Sequence, residues 1–334
     1  MEVVLSYLVS AQKHRIEELE HLHRICELME IISDLVHALQ CERGASNIFL
    51  ASNGLSFKDE WNGFTHKAAT ESGRLHHWLK MNEKSGVLAG GSRLLIRLAL
   101  TVHLINDLSS IREKVRQLEM SPTESTGVYS ATINALLALV FEVADIAVDP
   151  TVSKELVALF FLMQAKEFSG LERATGVRIC SSGKSPELVD TLASLIESQE
   201  NCFERFKAFS TQDVLNQWEI LTSKMPNFEI EQMRRKLLSS KSLDHSIDAI
   251  EWFEICTLRI NDIHIVEKYL TNNLAEKCQS LIQETNNHLN DHSALLASFS
   301  SEQPSPPISL LVSSMNPAQQ DRNDSLAKIG PALS

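Results

Sequence analysis

The chain has 334 residues, of which 43% are hydrophobic and 22% charged, enough to bury a sizeable core in one large domain or two small ones. Its formal charge of −12, from 31 basic and 43 acidic residues, argues against direct nucleic-acid binding and against adsorption to an anionic membrane. The six cysteines form no Cys-x-x-Cys pair. They indicate free thiols in a reducing compartment, and we therefore expect a cytoplasmic protein.

Neither a signal peptide nor a membrane span is predicted. The N-terminal sequence begins with an acidic residue, Glu2, and has no positively charged region before its apolar residues. The most apolar stretch, 133–148, contains Asn134, Glu142 and Asp145. It is also shorter than the ~20 residues that a helix needs to cross a bilayer.

Hydrophobic residues repeat at three and four residues along most of the chain, which predicts helices throughout. The first helix is predicted over about 3–52. The second is expected to start at Ser56, with Asp59 in the reciprocal capping position, and to end near 85. Further helices are predicted over about 93–119, 126–148, 151–180, 185–209, 211–223, 227–240 and 244–300. A capping Ser185 followed by Pro186 marks one start, and Asp244 is expected to cap the last helix.

The last part of the chain differs in composition. Residues 301–334 are rich in Ser, Pro, Asn and Gln. Such a segment cannot bury enough apolar surface to order itself, so we predict a disordered tail after a helical domain spanning 1–300.

A loose internal repeat divides the helical domain. Residues 40–46 (Gln-Cys-Glu-Arg-Gly-Ala-Ser) and 166–174 (Lys-Glu-Phe-Ser-Gly-Leu-Glu-Arg-Ala) each contain Glu-Arg followed by a small residue, late in a long helix. Residues 130–135 and 246–249 also open apolar helices in a similar pattern. We therefore predict an all-α fold of two four-helix bundles that share long helices, with halves of about 1–148 and 149–300.

Arg43 is the first candidate binding residue. It continues the apolar stripe of the first helix, four residues after Leu39, and a buried arginine needs an anionic partner. Gly44 costs the helix ~1 kcal/mol relative to alanine, which suggests close approach of a ligand or another backbone. Ser46 adds a hydroxyl one turn away.

Arg173 has a similar setting, with Gly170 as its small neighbour. Two arginines from two halves could converge on one small anion, and a forked guanidinium suits a planar oxyanion such as nitrate. The candidate charge-balancing acids are Glu42, Glu167 and Glu172. The alternative is that both arginines make ordinary structural ion pairs.

Metal sites are weighed and rejected. Glu18 with His21, and Glu20 with His23, have the carboxylate–histidine spacing of di-iron bundles, but no matching pairs occur elsewhere. The pair of His37 and Cys41 also lacks partners. The sequence contains no phosphate-binding, dinucleotide-binding or nucleophile-elbow motif, so we expect no cofactor, no metal and no enzymatic activity.

Three regions together resemble the bacterial nitrate- and nitrite-sensing (NIT) domain family. They are 40–46, 166–174, and the segment with Trp252-Phe253-Glu254, Thr257, Ile260-Asn261 and Val266-Glu267. The resemblance covers about residues 20–285 in the correct order. It implies two helical bundles and an anion held by two arginines, which here are Arg43 and Arg173.

The resemblance implies a signalling protein that binds nitrate or nitrite and controls genes of nitrate metabolism. The alternative is an all-helical interaction scaffold without a small-ligand site. Family members often end in an RNA-binding antiterminator (ANTAR) module, and the polar residues after 300 are too few for one. Either the output is made through a protein partner or a homodimer, or this chain lacks an effector module; we expect no nucleic acid or membrane to be bound directly by this chain.

Overall fold

The computed structural model describes residues 2–83, 92–146, 149–239 and 247–290, and every regular element in these ranges is an α-helix. The prediction of an all-α fold is confirmed. The helices are α1 Glu2–Ala51, α2 Lys58–Asn82, α3 Ser92–Arg116, α4 Pro122–Ile146, α5 Pro150–Ser182, α6 Pro186–Phe209, α7 Gln212–Thr222, α8 Asn227–Leu238 and α9 Ala249–Asn290.

Two predicted helix starts are wrong. Helix α2 begins at Lys58 after Phe57, which has a left-handed φ of 64° and makes no side-chain capping bond. Its ring packs edge-on against Phe253 at a centroid distance of 6.0 Å, so tertiary packing rather than a Ser56 cap fixes the start. Helix α4 begins four residues earlier than predicted, because Ser121 and Glu124 form a reciprocal capping box.

Other boundaries follow the local sequence. The Asp149 carboxylate accepts hydrogen bonds from the first free N–H groups of α5, and Gly183, at φ 87°, ends that helix. The Ser185 hydroxyl caps α6, as predicted. The predicted cap Asp244 and the predicted disordered tail, 301–334, lie outside the described residues.

The apolar stripe of α1 forms the centre of the core. Leu28, Ile32, Leu35 and Leu39 are at most 2% exposed and pack with apolar residues of α4, α5 and α9. Residues 17–282 form one compact unit, which contains every site residue discussed below. The described residues of the second unit are 2–16 of α1 and 283–290 of α9.

Two helices, α3 and the part of α4 up to Asp145, are long and apolar enough to cross a membrane by composition alone. More than half of the apolar window in α4 is buried, as in the core helix of a globular protein. Both helices also donate polar side chains to a buried carboxylate, since Arg112 and Tyr129 bind Glu42. These features give little support to a membrane span.

Candidate functional site

Arg43 lies where α1 packs against α5, with 1% of its surface exposed. Its Nη1 and Nη2 donate to the two carboxylate oxygens of Glu167 on α5, at 2.5 and 3.0 Å. Nη1 also donates to the Ser130 hydroxyl on α4 at 2.7 Å. Gln40, one turn earlier on α1, donates its amide to the same carboxylate at 2.9 Å. Arg43 is therefore held by a forked ion pair.

Arg173 lies on α5 with 3% of its surface exposed. Its Nη1 donates to the Thr257 hydroxyl on α9 at 2.7 Å, and its Nη2 donates to the backbone carbonyl of Gln40 at 3.2 Å. The Phe253 ring covers its guanidinium at 4.5 Å. Among the described residues no carboxylate comes within ion-pair distance of Arg173, so its charge is unmatched.

Two glycines let the two arginines approach each other. A Cβ atom on Gly44 would lie 2.6 Å from Nη2 of Arg173. A Cβ atom on Gly170 would lie 2.7 Å from Nη2 of Arg43. Each arginine thus lies against the glycine of the opposite helix, and only a missing side chain gives it room. The cost of glycine in a helix is explained by this crossing.

The electrostatics of the crossing favour an added negative charge. Burial, and after it the neighbouring charge of Arg43, lower the pKa of Arg173. Two guanidinium groups and the one carboxylate in contact with them, Glu167, leave one positive charge uncompensated. Each guanidinium has five N–H donors, more than its contacts with the described residues use. The arrangement offers the charge and the free donors that a small monovalent anion requires.

Glu42, predicted to balance the two arginines, has other partners. It is fully buried and accepts two hydrogen bonds from Arg112 of α3, at 2.7 and 2.8 Å. Its Oε1 also accepts from the hydroxyls of Thr65 on α2 and Tyr129 on α4. This carboxylate joins α1 to α2, α3 and α4, an arrangement compatible with the predicted four-helix bundle.

Glu172 occupies the corresponding position in the second half. It accepts two hydrogen bonds from Arg234 of α8, at 2.6 and 2.8 Å, and one from Gln199 of α6 at 2.6 Å. Arg259 of α9 lies 3.7 Å from the same carboxylate. Of the three predicted balancing acids, only Glu167 contacts one of the paired arginines.

The internal repeat is clearer in the contacts than in the sequence. In each half the glutamate of the Glu-Arg pair joins four helices, and the arginine after it reaches toward the other half. Ser130 and Thr257 are equivalent, because each accepts from the Nη1 of its arginine at 2.7 Å. The internal repeat predicted from the sequence pairs 130–135 with 246–249, and Ser246 lies outside the described residues.

Ser46, predicted to contact the ligand, donates its hydroxyl to the backbone carbonyl of Glu42 at 2.8 Å and is fully buried. This bond places the hydroxyl beside Glu42, and no hydrogen bond joins it to Arg43 among the described contacts. Sequence reasoning missed Gln40, which bonds Glu167 and Arg173 through its side chain and backbone respectively.

A second polar cluster surrounds His37, six residues before Arg43 on α1. The rings of His37 and His264 stack at 4.0 Å, and His264 also contacts Asp34 and Glu267. Burial acts to raise the pKa of Asp34, but His264 and Lys268 lower it to about 2. Cys41 Sγ lies 3.8 Å from His37 Nε2. No group of three metal-binding side chains occurs among the described residues.

Comparison with known proteins gives consistent results. Residues 34–275 match the model of the family described as nitrate and nitrite sensing. A nitrate regulatory protein from Klebsiella oxytoca is 32% identical over 284 residues, covering 84% of this chain and 70% of that protein. The solved structure of the NasR transcription antiterminator superposes with a TM-score of 0.73 at 29% identity, covering 88% of this chain and 83% of the other.

Proposed function

We propose, from the premise that this chain belongs to the nitrate and nitrite sensing family, that it binds one nitrate or nitrite ion between Arg43 and Arg173. The chain is a regulator and not an enzyme. The observation that carries the proposed site is the buried Arg173, which lies beside a second arginine and has no carboxylate partner among the described residues.

The charges and shapes of the groups favour a planar monoanion. Arg43, Arg173 and Glu167 together carry one net positive charge. One nitrate ion neutralises this charge, whereas a sulfate ion, with two negative charges, would leave the site negative. The forked donors of a guanidinium match two oxygens of a planar ion. Gly44 and Gly170 let the Nη2 group of each arginine reach the opposite helix, so an anion bound by both arginines would contact α1 and α5.

The scaffold alternative accounts for the contacts of Arg43 more readily than for those of Arg173. Arg43 has a forked ion pair with Glu167, as a structural arginine would. Arg173 is 3% exposed, and its partners within the described ranges are a hydroxyl, a carbonyl and an aromatic ring. A buried charge without a counter-ion is destabilising, and a bound anion would supply the missing partner.

The test is calorimetric titration with nitrate, nitrite, chlorate, chloride and sulfate. We expect Arg173→Ala to abolish nitrate binding without destabilising the anion-free protein, because the change removes an unpaired buried charge. Arg173→Lys should also fail, since an ammonium cannot form the fork. Arg235→Ala, at an exposed arginine on α8, is the matched control and should bind nitrate normally.

Arg43→Ala gives the complementary result. It leaves Glu167 buried without its cation, so we expect loss of nitrate binding together with a destabilisation of ~3–5 kcal/mol. Wild-type nitrate affinity in either alanine variant would show that the arginines are structural and that the scaffold interpretation is correct.

For the output, we propose that nitrate draws α1 and α5 together and that α9 transmits the change to a protein partner or a second copy. Thr257 and Phe253 of α9 already contact Arg173, which supports this route. A ligand shifts an equilibrium only by its different affinity for the two states. The regulated genes would be those of nitrate metabolism, and the protein would act in the cytoplasm.

Hydrogen exchange with and without nitrate tests the route. We expect protection to change near both arginines and also in peptides from Tyr269 onward. A change confined to the surroundings of the arginines would exclude α9 as the transmitter while leaving the binding site intact.

A further inference from the structure

A second arginine cluster, separate from the proposed nitrate site, places Arg234 and Arg259 around one buried acid, Glu172, while the half-exposed Glu231 pairs with Arg234 alone at 2.6 Å. Glu172 is fully used by Arg234 and Gln199, at distances of 2.6 to 2.8 Å. Arg259 reaches only to 3.7 Å from this carboxylate and otherwise donates to the Gln199 amide oxygen at 3.1 Å. That oxygen already accepts from Ser169 and Arg234. Arg259 is therefore poorly compensated.

The first half of the chain is an internal control. The equivalent carboxylate, Glu42, meets a single arginine, Arg112, and its remaining contacts are the neutral hydroxyls of Thr65 and Tyr129. Neutralising one buried acid therefore needs only one arginine. Since Arg234 already fills that role in the second half, Arg259 is the additional cation.

Arg259 lines a cavity of about 360 Å³ between α6, α7 and α9, and its own side chain is 13% exposed. Phe203 and Trp218 form an apolar wall, with their rings 5.0 Å apart, and Phe203 also lies 5.6 Å from the guanidinium. Exposed Glu200 and Glu204 lie along another side. The cavity is at the small end of the range for small-molecule sites.

We propose that this cavity binds a free α-amino acid with an apolar side chain. The carboxylate would pair with Arg259, the ammonium with Glu204, and the side chain would lie against Phe203 and Trp218. Such a ligand presents both charges and an apolar surface, as the lining does.

The charges of the lining exclude other small ligands. Lys207 on the same cavity brings the count to two cations and two acids, so a ligand without net charge fits best. A phosphate ester would meet the two glutamates at unfavourable charge. Burial and the charge of Arg234 lower the pKa of Arg259, and a ligand carboxylate would relieve this unfavourable field.

The test is calorimetry on the full chain with leucine, methionine and phenylalanine, each compared with its amide and its N-acetyl form. We expect one or more of the free amino acids to bind, and both blocked forms to bind at least about tenfold more weakly, because each lacks one charge-assisted contact. An N-acetyl form that binds equally well, or no binding by any of the three at millimolar concentration, overturns the proposal.

Variants locate the site. Glu204→Gln changes an exposed residue, so it should keep the fold while weakening amino-acid binding by about tenfold. Glu229→Gln on α8, exposed and outside the cavity, is the control and should bind as the wild type does. Arg259→Gln should abolish amino-acid binding and leave nitrate affinity unchanged. Normal amino-acid binding by Arg259→Gln, or equal weakening in both glutamate variants, contradicts the assignment.

Discussion

The close crossing of α1 and α5 can be tested with one methyl group. Alanine in place of a helical glycine normally stabilises a protein by up to ~1 kcal/mol. At Gly73 on α2 no atom lies within 4 Å of the added Cβ, so Gly73→Ala should show this gain. At Gly170 the same Cβ would lie 2.7 Å from Nη2 of Arg43. The two substitutions are chemically identical and should differ in sign.

The size of the destabilisation expected for Gly170→Ala depends on the contacts that hold the Arg43 guanidinium in place. To make room, the guanidinium must leave at least one of its two bonds to Glu167 or its bond to Ser130. A hydrogen bond to a charged group contributes ~1.5–3 kcal/mol, which exceeds the ~1 kcal/mol gained from helix propensity. We therefore expect Gly170→Ala to destabilise the protein by about 1–2 kcal/mol.

Urea unfolding followed by circular dichroism measures both free energies, and calorimetry measures nitrate affinity. Gly170→Ala should also lose tenfold or more in affinity, because the displaced Nη2 group is one of the proposed ligands. Gly73→Ala should bind nitrate as the wild type does. If both variants gain stability equally and bind nitrate normally, nitrate does not bind at this helix crossing. The presence of glycine at position 170 then has another explanation.

Four further outcomes are expected. Glu167→Gln raises the net charge of the site by one, so the ratio of sulfate to nitrate affinity, measured by calorimetry, should increase. Asp34 has a pKa of about 2, below its unfolded value of ~3.9, so its stabilisation of ~2 kcal/mol is present above about pH 4 and lost as the pH falls toward 2. Asp34→Asn should therefore flatten the acid limb of the stability profile measured by urea unfolding. Gly176→Ala would place a Cβ within the Trp252 indole, a rigid buried ring, and should lower the melting temperature by several degrees. A chain that ends at Ser300 should bind nitrate as the full chain does.

Local patterns predicted the parts of the fold that depend on local physics. The apolar stripe of α1 and the Ser185 cap each follow from residues within one or two turns. The predicted start of α2 at Ser56 was wrong because a distant ring, Phe253, packs against Phe57. No nearby residue signals that contact.

Contacts between residues distant in the sequence also limited the prediction of the site. Arg43 and Arg173 were predicted to be buried from the stripe and the repeat, and the structure brings their helices together. The partner of Glu42 is Arg112, 70 residues away, and the partner of Glu172 is Arg234, 62 residues away. A Glu-Arg dipeptide suggests local charge balance, so these long-range pairs could not be read from spacing alone.

The equivalent contacts of the two halves have the form of an isologous dimer interface within one chain. In such an interface each side offers the same groups to the other, and a ligand at its centre lies on a twofold axis. Arg43 and Arg173 hold that central position, with Ser130 and Thr257 as equivalent supports. A fragment with one half alone would carry one guanidinium and could not clamp an anion from both sides. Fusion into a single chain removes the concentration dependence of such an assembly, and it also frees the two arginines to differ. Arg43 has a carboxylate partner, Glu167, whereas Arg173 has none among the described residues and is the arginine that the proposed anion would neutralise.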